Sequence, residues 1–294
     1  LIPRLIKNGY SNIVVLDKHR DNISITRKLF PSIIVEEADI SNQGEWIKHF
    51  EADSIVIMLQ AQIGGNNLDD FKRNNEVSTY NIIEQIKNQS NVRLIHVSSS
   101  VVESKADDFY TNSKKNQEKL VIESGIKCVI LRPTLMFGWF DRKHLGWLSR
   151  FMQIVPIFPI PGNGKYIRQP LYAGDFCNII ISCIENREIH GTYNISGYEK
   201  VYYIDLIKKI KKTISAKTFI LKIPFIFFYY LIWLWNLFDK NPPFTTQQLM
   251  ALSNDETFEV IDWAKIFSIS NLSLDEALDE TFNDKTYSKI KMKF

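Results

Sequence analysis

The sequence predicts an α/β fold: a doubly wound parallel sheet carrying a smaller, mostly helical lobe. Three observations predict it. Short β-branched apolar runs alternate with helical stretches through the first half, with the period of parallel βαβ units. After Pro133 the composition shifts to aromatics, Pro and Gly, as in an excursion away from a sheet. From Tyr198 onward the pattern is mostly helical. A chain of 294 residues has room for such a domain and its companion lobe. The expected division is 1–137 with 171–197 for the sheet domain, and 138–170 with 198–294 for the lobe.

Taken in order, Asn12–Leu16 (NIVVL) reads as a strand closed by Asp17, and Ser32–Val35 as a second, followed by the turn into Ala38-Asp39-Ile40. A helix near Gly44–Phe50 leads to the strand Ser54–Leu59. A long amphipathic helix follows from Leu68 to Asn88, with Val77, Ile82, Ile83 and Ile86 as its apolar positions. Val92–Val97 is a strand ending in Ser98-Ser99-Ser100. The helix Tyr110–Ser124 stops at Gly125, a natural breaker, and Lys127–Leu131 is another buried strand. Pro159–Lys165 (PIPGNGK) is a loop, Leu171-Tyr172 begins the return, and Asp175 is placed to cap a helix over Phe176–Glu185. Thr192–Ile195 closes the sheet. A turn is expected at Asn241-Pro242-Pro243.

Composition narrows the function. A net charge of +3, from 36 basic and 33 acidic residues, gives no field suited to nucleic acid. Cys128, Cys177 and Cys183 lie in apolar stretches without metal-ligand spacing, so they read as core residues in a reducing, cytoplasmic compartment, and no metal site is expected. The opening residues LIPRLIKNGY lack a secretory signal's apolar core, and a start at Leu in place of Met suggests a piece of a longer protein. Ile223–Trp235 (IPFIFFYYLIWLW) is apolar for 13 residues, shorter than the roughly 20 a span requires. Burial in the small lobe or a dimer interface is the first reading of this run. Peripheral contact with the inner face of a membrane is the second.

The chemistry centres on Tyr110-Thr-Asn-Ser-Lys114. Positions i and i+4 share a helix face, and a nearby ammonium would favour phenolate, making Tyr110 an acid/base. A serine ending the preceding strand could hydrogen-bond a reacting oxygen; by register Ser99 is first choice, Ser100 second and Ser98 third.

With these features the chain resembles the extended short-chain dehydrogenase/reductases, which include the NAD-dependent epimerases and dehydratases of nucleotide sugars. The resemblance runs along nearly the whole chain and implies a Rossmann-like sheet domain. LIPRLIKNGYSNIVVLD resembles the end of that family's first helix and its second strand, which puts Asp17 on the adenosine ribose and favours NAD, with NADP as the alternative given Lys18 and Arg20. Asp39 and Ile40 match an acidic tripeptide that meets the adenine. Leu59, Gln60 and Ala61 match the segment lying along the cofactor, although the family usually has alanine where Gln60 stands. Asn75 matches a helix position facing the interior. Lys114 would hold the nicotinamide ribose, and Leu131-Arg132-Pro133 resembles the turn beside the nicotinamide. Arg168, in GNGKYIRQPLYAGD, falls where a substrate-diphosphate arginine is found, and Phe244–Phe282 is similar to the closing part of the substrate lobe.

Two departures qualify the resemblance. No GxxGxxG phosphate turn occurs in the sequence, so NAD binding by these residues alone is expected to be weak. The spacing of 11 residues from Ser99 to Tyr110 is short, as in atypical members such as the non-catalytic accessory subunit of respiratory complex I. What the resemblance implies first is an NAD(P)-dependent epimerase/dehydratase-type oxidoreductase. Its substrate would be a nucleotide sugar or similar hydroxyl compound, bound at Ser99, Tyr110 and Arg168. The alternatives are a non-catalytic dinucleotide-binding or membrane-associated accessory protein, and a sterol- or isoprenoid-type dehydrogenase. A homodimer through the long helices beginning near Leu68 and Tyr110 is a further expectation.

Overall fold

Successive side chains of a β-strand point to opposite faces, so a strand apolar on both faces must be covered on both. The central strands of this protein obey that rule. The structure, a computed structural model, describes residues 1–238 and 246–292. From the N-terminus α1 (Ile2–Lys7) leads to β1 (Val14–Asp17), α2 (Arg20–Leu29) and β2 (Ile34–Glu37). A 3₁₀ turn at Glu45–His49 precedes β3 (Ile55–Met58). The long helix runs as α3 (Leu68–Phe71), a π-helical turn (Lys72–Val77) and α4 (Ser78–Ile86). Next come β4 (Arg93–Val97), a 3₁₀ turn at Ser100–Glu103, α5 (Phe109–Glu123) and β5 (Cys128–Pro133). Then follow β6 (Met136–Phe137), α6 (Leu145–Ile154), β7 (Ile157–Pro161), β8 (Ile167–Arg168), β9 (Leu171–Tyr172), α7 (Ala173–Glu185) and β10 (Gly191–Ile195). The C-terminal part holds β11 (Val201–Tyr202), α8 (Tyr203–Thr213), β12 (Phe219–Ile223), α9 (Phe225–Phe238), α10 (Thr246–Leu252), α11 (Trp263–Ile266) and α12 (Leu274–Asn283).

Strands β3, β4, β5 and β10 form one parallel sheet in the order β10-β5-β4-β3, and β1 pairs in parallel with β2. Ile95, Val129 and Leu131 face a core closed by α7 through Phe176, Ile179 and Ile180. Met58, Leu94 and Ile130 face the opposite core, closed by Ile82, Ile83 and Ile86 of α4 and Val121 of α5. Helices thus cover both faces, the doubly wound arrangement that the sequence predicts. The turn after α5 is made at Gly125, whose φ of +69° is a conformation glycine adopts without steric penalty. Arg93, buried at the start of β4, donates to the carbonyls of Cys183, Asn186, Arg187 and Ile189, fixing the C-terminal end of α7 to the sheet.

A third core, with Met152, Phe158, Ile160, Leu206, Ile207 and Leu278, builds the smaller lobe. Here the structure adds what helical patterning hid: β12 pairs in parallel with β7, and β11 antiparallel with β8. Trp263 and Phe267, expected in the smaller lobe, pack instead in the core under α7. The turn expected at Asn241-Pro242-Pro243, and the start of the Phe244–Phe282 segment, lie outside the described residues.

Asp175 departs from its expected place. Helix α7 begins at Ala173, with Tyr172 as its N-cap, so Asp175 sits buried in the first turn and accepts from the Leu272 N–H at 3.3 Å. Burial pushes its carboxyl up to about 6, with Glu280 adding to the effect and Leu272 and Arg4 opposing it. The folded protein therefore holds this proton more tightly than the unfolded chain, whose aspartates titrate near 3.8. The group's contribution to stability is full below about pH 4, falls as pH rises to about 6, and is flat above. Asp175→Asn is expected to remove that fall, gaining on the order of 2 kcal/mol on the wild type between pH 4 and pH 7 in denaturant titrations. Parallel stability curves for the two proteins would show that the Asp175 charge carries no penalty.

Candidate active site

In parallel strands the carboxyl ends share one edge, and loops leaving that edge collect the polar groups. Three side-chain links gather the candidate residues there. Lys18, following β1, donates to Asn74 at 2.6 Å, and Asn74 donates to the Gln62 side chain at 2.9 Å beyond β3. Asn81 of α4 donates to the Ile40 carbonyl at 2.8 Å, and Arg73 pairs with Asp39. Asn75 is fully buried, as its expected inward position requires. It accepts from the Gln62 N–H at 2.6 Å, and its amide donates to the Gln62 carbonyl at 3.2 Å and to Ser113 at 2.9 Å. The π-helical turn that contains Asn75 is a local widening often found at functional sites.

Each candidate then has a definite place. Asp17 accepts from the His19 N–H at 2.9 Å through one oxygen, and its other oxygen has no partner among the described residues. Burial works against the Asp39 carboxylate, but the Ser41 hydrogen bonds, Arg73 and Lys18 hold it below its ordinary range. Leu59 and Ala61 are exposed along the strand end, while Gln60 donates to Thr79 at 3.3 Å. Pro133 is buried as the last residue of β5, opposite Ile195, and the buried Thr134 hydroxyl beside it has no partner among the described residues. Ser99 precedes the 3₁₀ turn that Ser100 opens; it accepts from the Val101 N–H at 3.4 Å, and its hydroxyl is near enough to the Tyr110 phenol to lower it.

Tyr110 and Lys114 share α5, but their electrostatics differ from the expected pairing. Burial raises the phenol, Asp108 raises it further, and only the Ser99 hydroxyl opposes them. Lys114 is itself buried, its ammonium donating to the Val97 carbonyl at 3.1 Å and to the Gln117 side chain. Burial lowers the Lys114 ammonium to about 8, with Glu118 opposing. The Tyr110 phenol therefore keeps its proton at neutral pH. Arg168 is buried away from this group, its guanidinium donating to the carbonyls of Ile167, Leu252 and Asn254 and lying 5.9 Å from the Tyr203 ring. No described contact brings it to Tyr110.

Three residues escaped the sequence reading. Glu118 accepts from Ser98 and from Arg132, and Arg132 also pairs with Glu103 at 2.8 Å. Its position four residues beyond Lys114, on the same helix face, was the available signal. Gln117 bridges Lys114 to Thr79, donating to Thr79 at 2.9 Å. His96 is fully buried beside Lys114, and neither ring nitrogen has a partner among the described residues; burial, then Lys114, holds it well below its ordinary range.

Ser99, Tyr110 and Lys114 thus lie near the carboxyl edge of a doubly wound parallel sheet, the class of fold that binds dinucleotides at that edge. Residues 1–196 match the family described as "NAD dependent epimerase/dehydratase family", and the chain belongs to that family. Among relatives, it is 26% identical over 181 residues to NADH dehydrogenase [ubiquinone] 1 alpha subcomplex subunit 9, mitochondrial, of Dictyostelium discoideum, matching 61% of this chain and 44% of that protein. The Mus musculus protein of the same name is 28% identical over 158 residues, 53% of this chain and 41% of that one. The chain thus spans less than half the length of these relatives. Among solved structures, UDP-glucuronic acid 4-epimerase from Bacillus cereus in complex with NAD superposes with a TM-score of 0.69 at 19% identity, covering 96% of this chain and 92% of that one. The dTDP-glucose 4,6-dehydratase from Bacillus anthracis, also in complex with NAD, gives 0.70 at 14% identity, covering 97% and 92%. At these identities the likeness establishes the fold.

The buried lysine supplies a test. Its folded pKa lies below the unfolded value of 10.5, so its stability contribution is full above about pH 10.5 and is lost as pH falls through about 8. Between these limits the wild type is expected to gain on the order of 3 kcal/mol relative to Lys114→Met. Stability curves that stay parallel through this window would mean that the Lys114 ammonium is solvated.

Proposed function

We propose that the chain is an NAD(P)-dependent oxidoreductase of the epimerase/dehydratase type, acting on a nucleotide sugar or similar hydroxyl compound through Ser99, Tyr110 and Lys114. The observation that carries this reading is the Ser99 hydroxyl set beside the Tyr110 phenol at the carboxyl edge of the sheet, with the Lys114 ammonium on the Val97 carbonyl at the same edge. There a proton donor and an oxyanion partner would meet one substrate oxygen. Bound NAD accepts or returns a hydride. The free carboxylate oxygen of Asp17 suits a ribose hydroxyl, Asp39 and Ile40 flank the adenine position, and Leu59, Gln60 and Ala61 would lie along the cofactor. Pro133, with the unpartnered Thr134 hydroxyl beside it, would border the nicotinamide, and Lys114 would reach the ribose by exchanging its present partners. Tyr110 donates or removes the proton of the substrate oxygen, Ser99 orients that oxygen, and Ser100 is the second-choice partner. Arg168 would contact a substrate diphosphate by exchanging the Leu252 and Asn254 carbonyls for phosphate oxygens.

A second reading is a non-catalytic dinucleotide-binding or membrane-associated accessory protein. It draws support from the Lys114 ammonium, held on Val97 and Gln117, and from the relatives named as NADH dehydrogenase subunits. A sterol- or isoprenoid-type dehydrogenase would use the same site with an apolar substrate. We also propose a homodimer through the long helix from Leu68 to Ile86 and through α5, where Val77, Tyr80 and Ile122 are exposed, and peripheral contact of residues 223–235 with the cytoplasmic face of a membrane.

Turnover of UDP- and dTDP-sugars with NAD tests the leading reading. Tyr110→Phe is expected to lower kcat by about 10²–10⁴-fold with the fold and NAD affinity retained, and Ser99→Ala to lower it less. Turnover unchanged in Tyr110→Phe would overturn the catalytic reading. NAD binding without turnover in the wild type would favour the accessory one.

A further inference from the structure

Helix α9 is apolar, yet none of its described side chains joins any of the three cores. Among its described side chains only Ile232 is buried. At 3.6 residues per turn, Ile226, Phe227, Tyr230, Leu231, Trp233 and Leu234 occupy one arc of about 160°, centred opposite Ile232. All six are exposed, Phe227 to 63%, Leu231 to 58% and Tyr230 to 57%. This corrects the expectation that the run packs inside the small lobe: the helix rests on Ile232 and turns its other side outward. The apolar surface extends back along the chain. Phe219 and Leu221 share one face of β12 and are exposed, and Ile157, directly opposite Phe219 in the ladder, is half exposed.

The surrounding charge indicates what covers this surface. Residues 206–238 contain six lysines and no aspartate or glutamate. Lys208 and Lys209 are paired with Asp205 and Asp275, but Lys211, Lys212, Lys217 and Lys222 have no acidic partner among the described residues. A broad apolar arc with Trp and Tyr, flanked by unpaired cations of one sign, matches the two layers of an anionic lipid leaflet, acyl chains below and phosphates above. With 14 residues, α9 is about 21 Å long. No described helix is long and apolar enough to cross a membrane, so α9 would lie in the plane.

We infer that α9 and the exposed face of β12 form a docking surface for an anionic phospholipid bilayer. The exposed apolar arc enters the acyl boundary, and Lys212, Lys217 and Lys222 meet the phosphate layer. The inference rests on the membrane-contact reading above and adds the lipid charge; it is independent of the chemistry at Tyr110.

Flotation of the full chain with vesicles tests it, comparing phosphatidylcholine alone with an equimolar phosphatidylcholine/phosphatidylglycerol mixture. The wild type is expected to float with the mixed vesicles and far less with the neutral ones, and to lose that binding as salt is raised. Phe227→Asp with Leu231→Asp is expected to reduce binding at least tenfold. Lys217→Glu with Lys222→Glu should weaken it by about fivefold or more per residue on mixed vesicles only. All four positions are exposed, so thermal melts should be unchanged, and the salt dependence of the wild type needs no variant. Equal binding to both vesicles would leave membrane contact standing and overturn the anionic-lipid inference. Absence of flotation overturns both, and a concentration-dependent dimer dissolved by Leu231→Asp would then assign the surface to a second copy of the chain.

Discussion

The ion pair between Glu118 and Arg132 fixes the position of α5, and the geometry of the site follows from it. Glu118 is buried on α5, Arg132 is the penultimate residue of β5, and Ser98, just after β4, donates to the same carboxylate. Two strands and a helix are thus joined at a single charged group just below the sheet edge. Removing Arg132 would leave the buried Glu118 carboxylate with Ser98 as its remaining partner, a costly arrangement, whereas Arg132 without Glu118 would keep Glu103. Tyr110 lies two turns up the helix from Glu118, and Ser99 is the residue after Ser98. The placing of Ser99 beside Tyr110 is therefore set by a contact that neither residue makes.

A second seam runs from the same helix to α4. Lys114, Gln117, Thr79 and Gln60 form one chain of hydrogen bonds, and Asn75 links Ser113 to the backbone of Gln62. Buried polar chains of this kind are stable only when nearly every member is satisfied. His96 is the exception, with both ring nitrogens unpartnered beside the Lys114 ammonium. Its neutral state adds no second positive charge, so Lys114 keeps its own proton more readily than it would beside an imidazolium.

How much of this was legible in the sequence depended on the range of the interaction. Strands such as Arg93–Val97 and helices such as Phe109–Glu123 announce themselves by local periodicity, and their limits fell within one or two residues of expectation. Asp175 was misplaced because a carboxylate before an apolar run looks the same as a cap whether it meets its own helix or the Leu272 amide. The strand Phe219–Ile223 was hidden because its partner, Ile157–Pro161, lies some 60 residues away in a loop-like stretch. The π-helical turn left the apolar pattern of the long helix intact, so only the inward position of Asn75, carried by the family resemblance, marked it. The Ser-Tyr-Lys set was readable as residues, but its protonation was not, because burial is a property of the folded surroundings.

That protonation bears on the direction in which the proposed chemistry starts. A phenol raised by burial and by Asp108 is a poor base at neutral pH, and the Lys114 ammonium, held on Val97 and Gln117, is not among the groups that lower it. In the present arrangement Tyr110 is suited to give a proton to a carbonyl oxygen. Taking one from a hydroxyl would require the Lys114 ammonium to leave Val97 and Gln117 and approach the phenol. A ligand whose hydroxyls draw that ammonium outward would make the exchange. The same displacement separates the two functional readings physically: an enzyme must move Lys114, whereas an accessory protein has reason to keep it where it is.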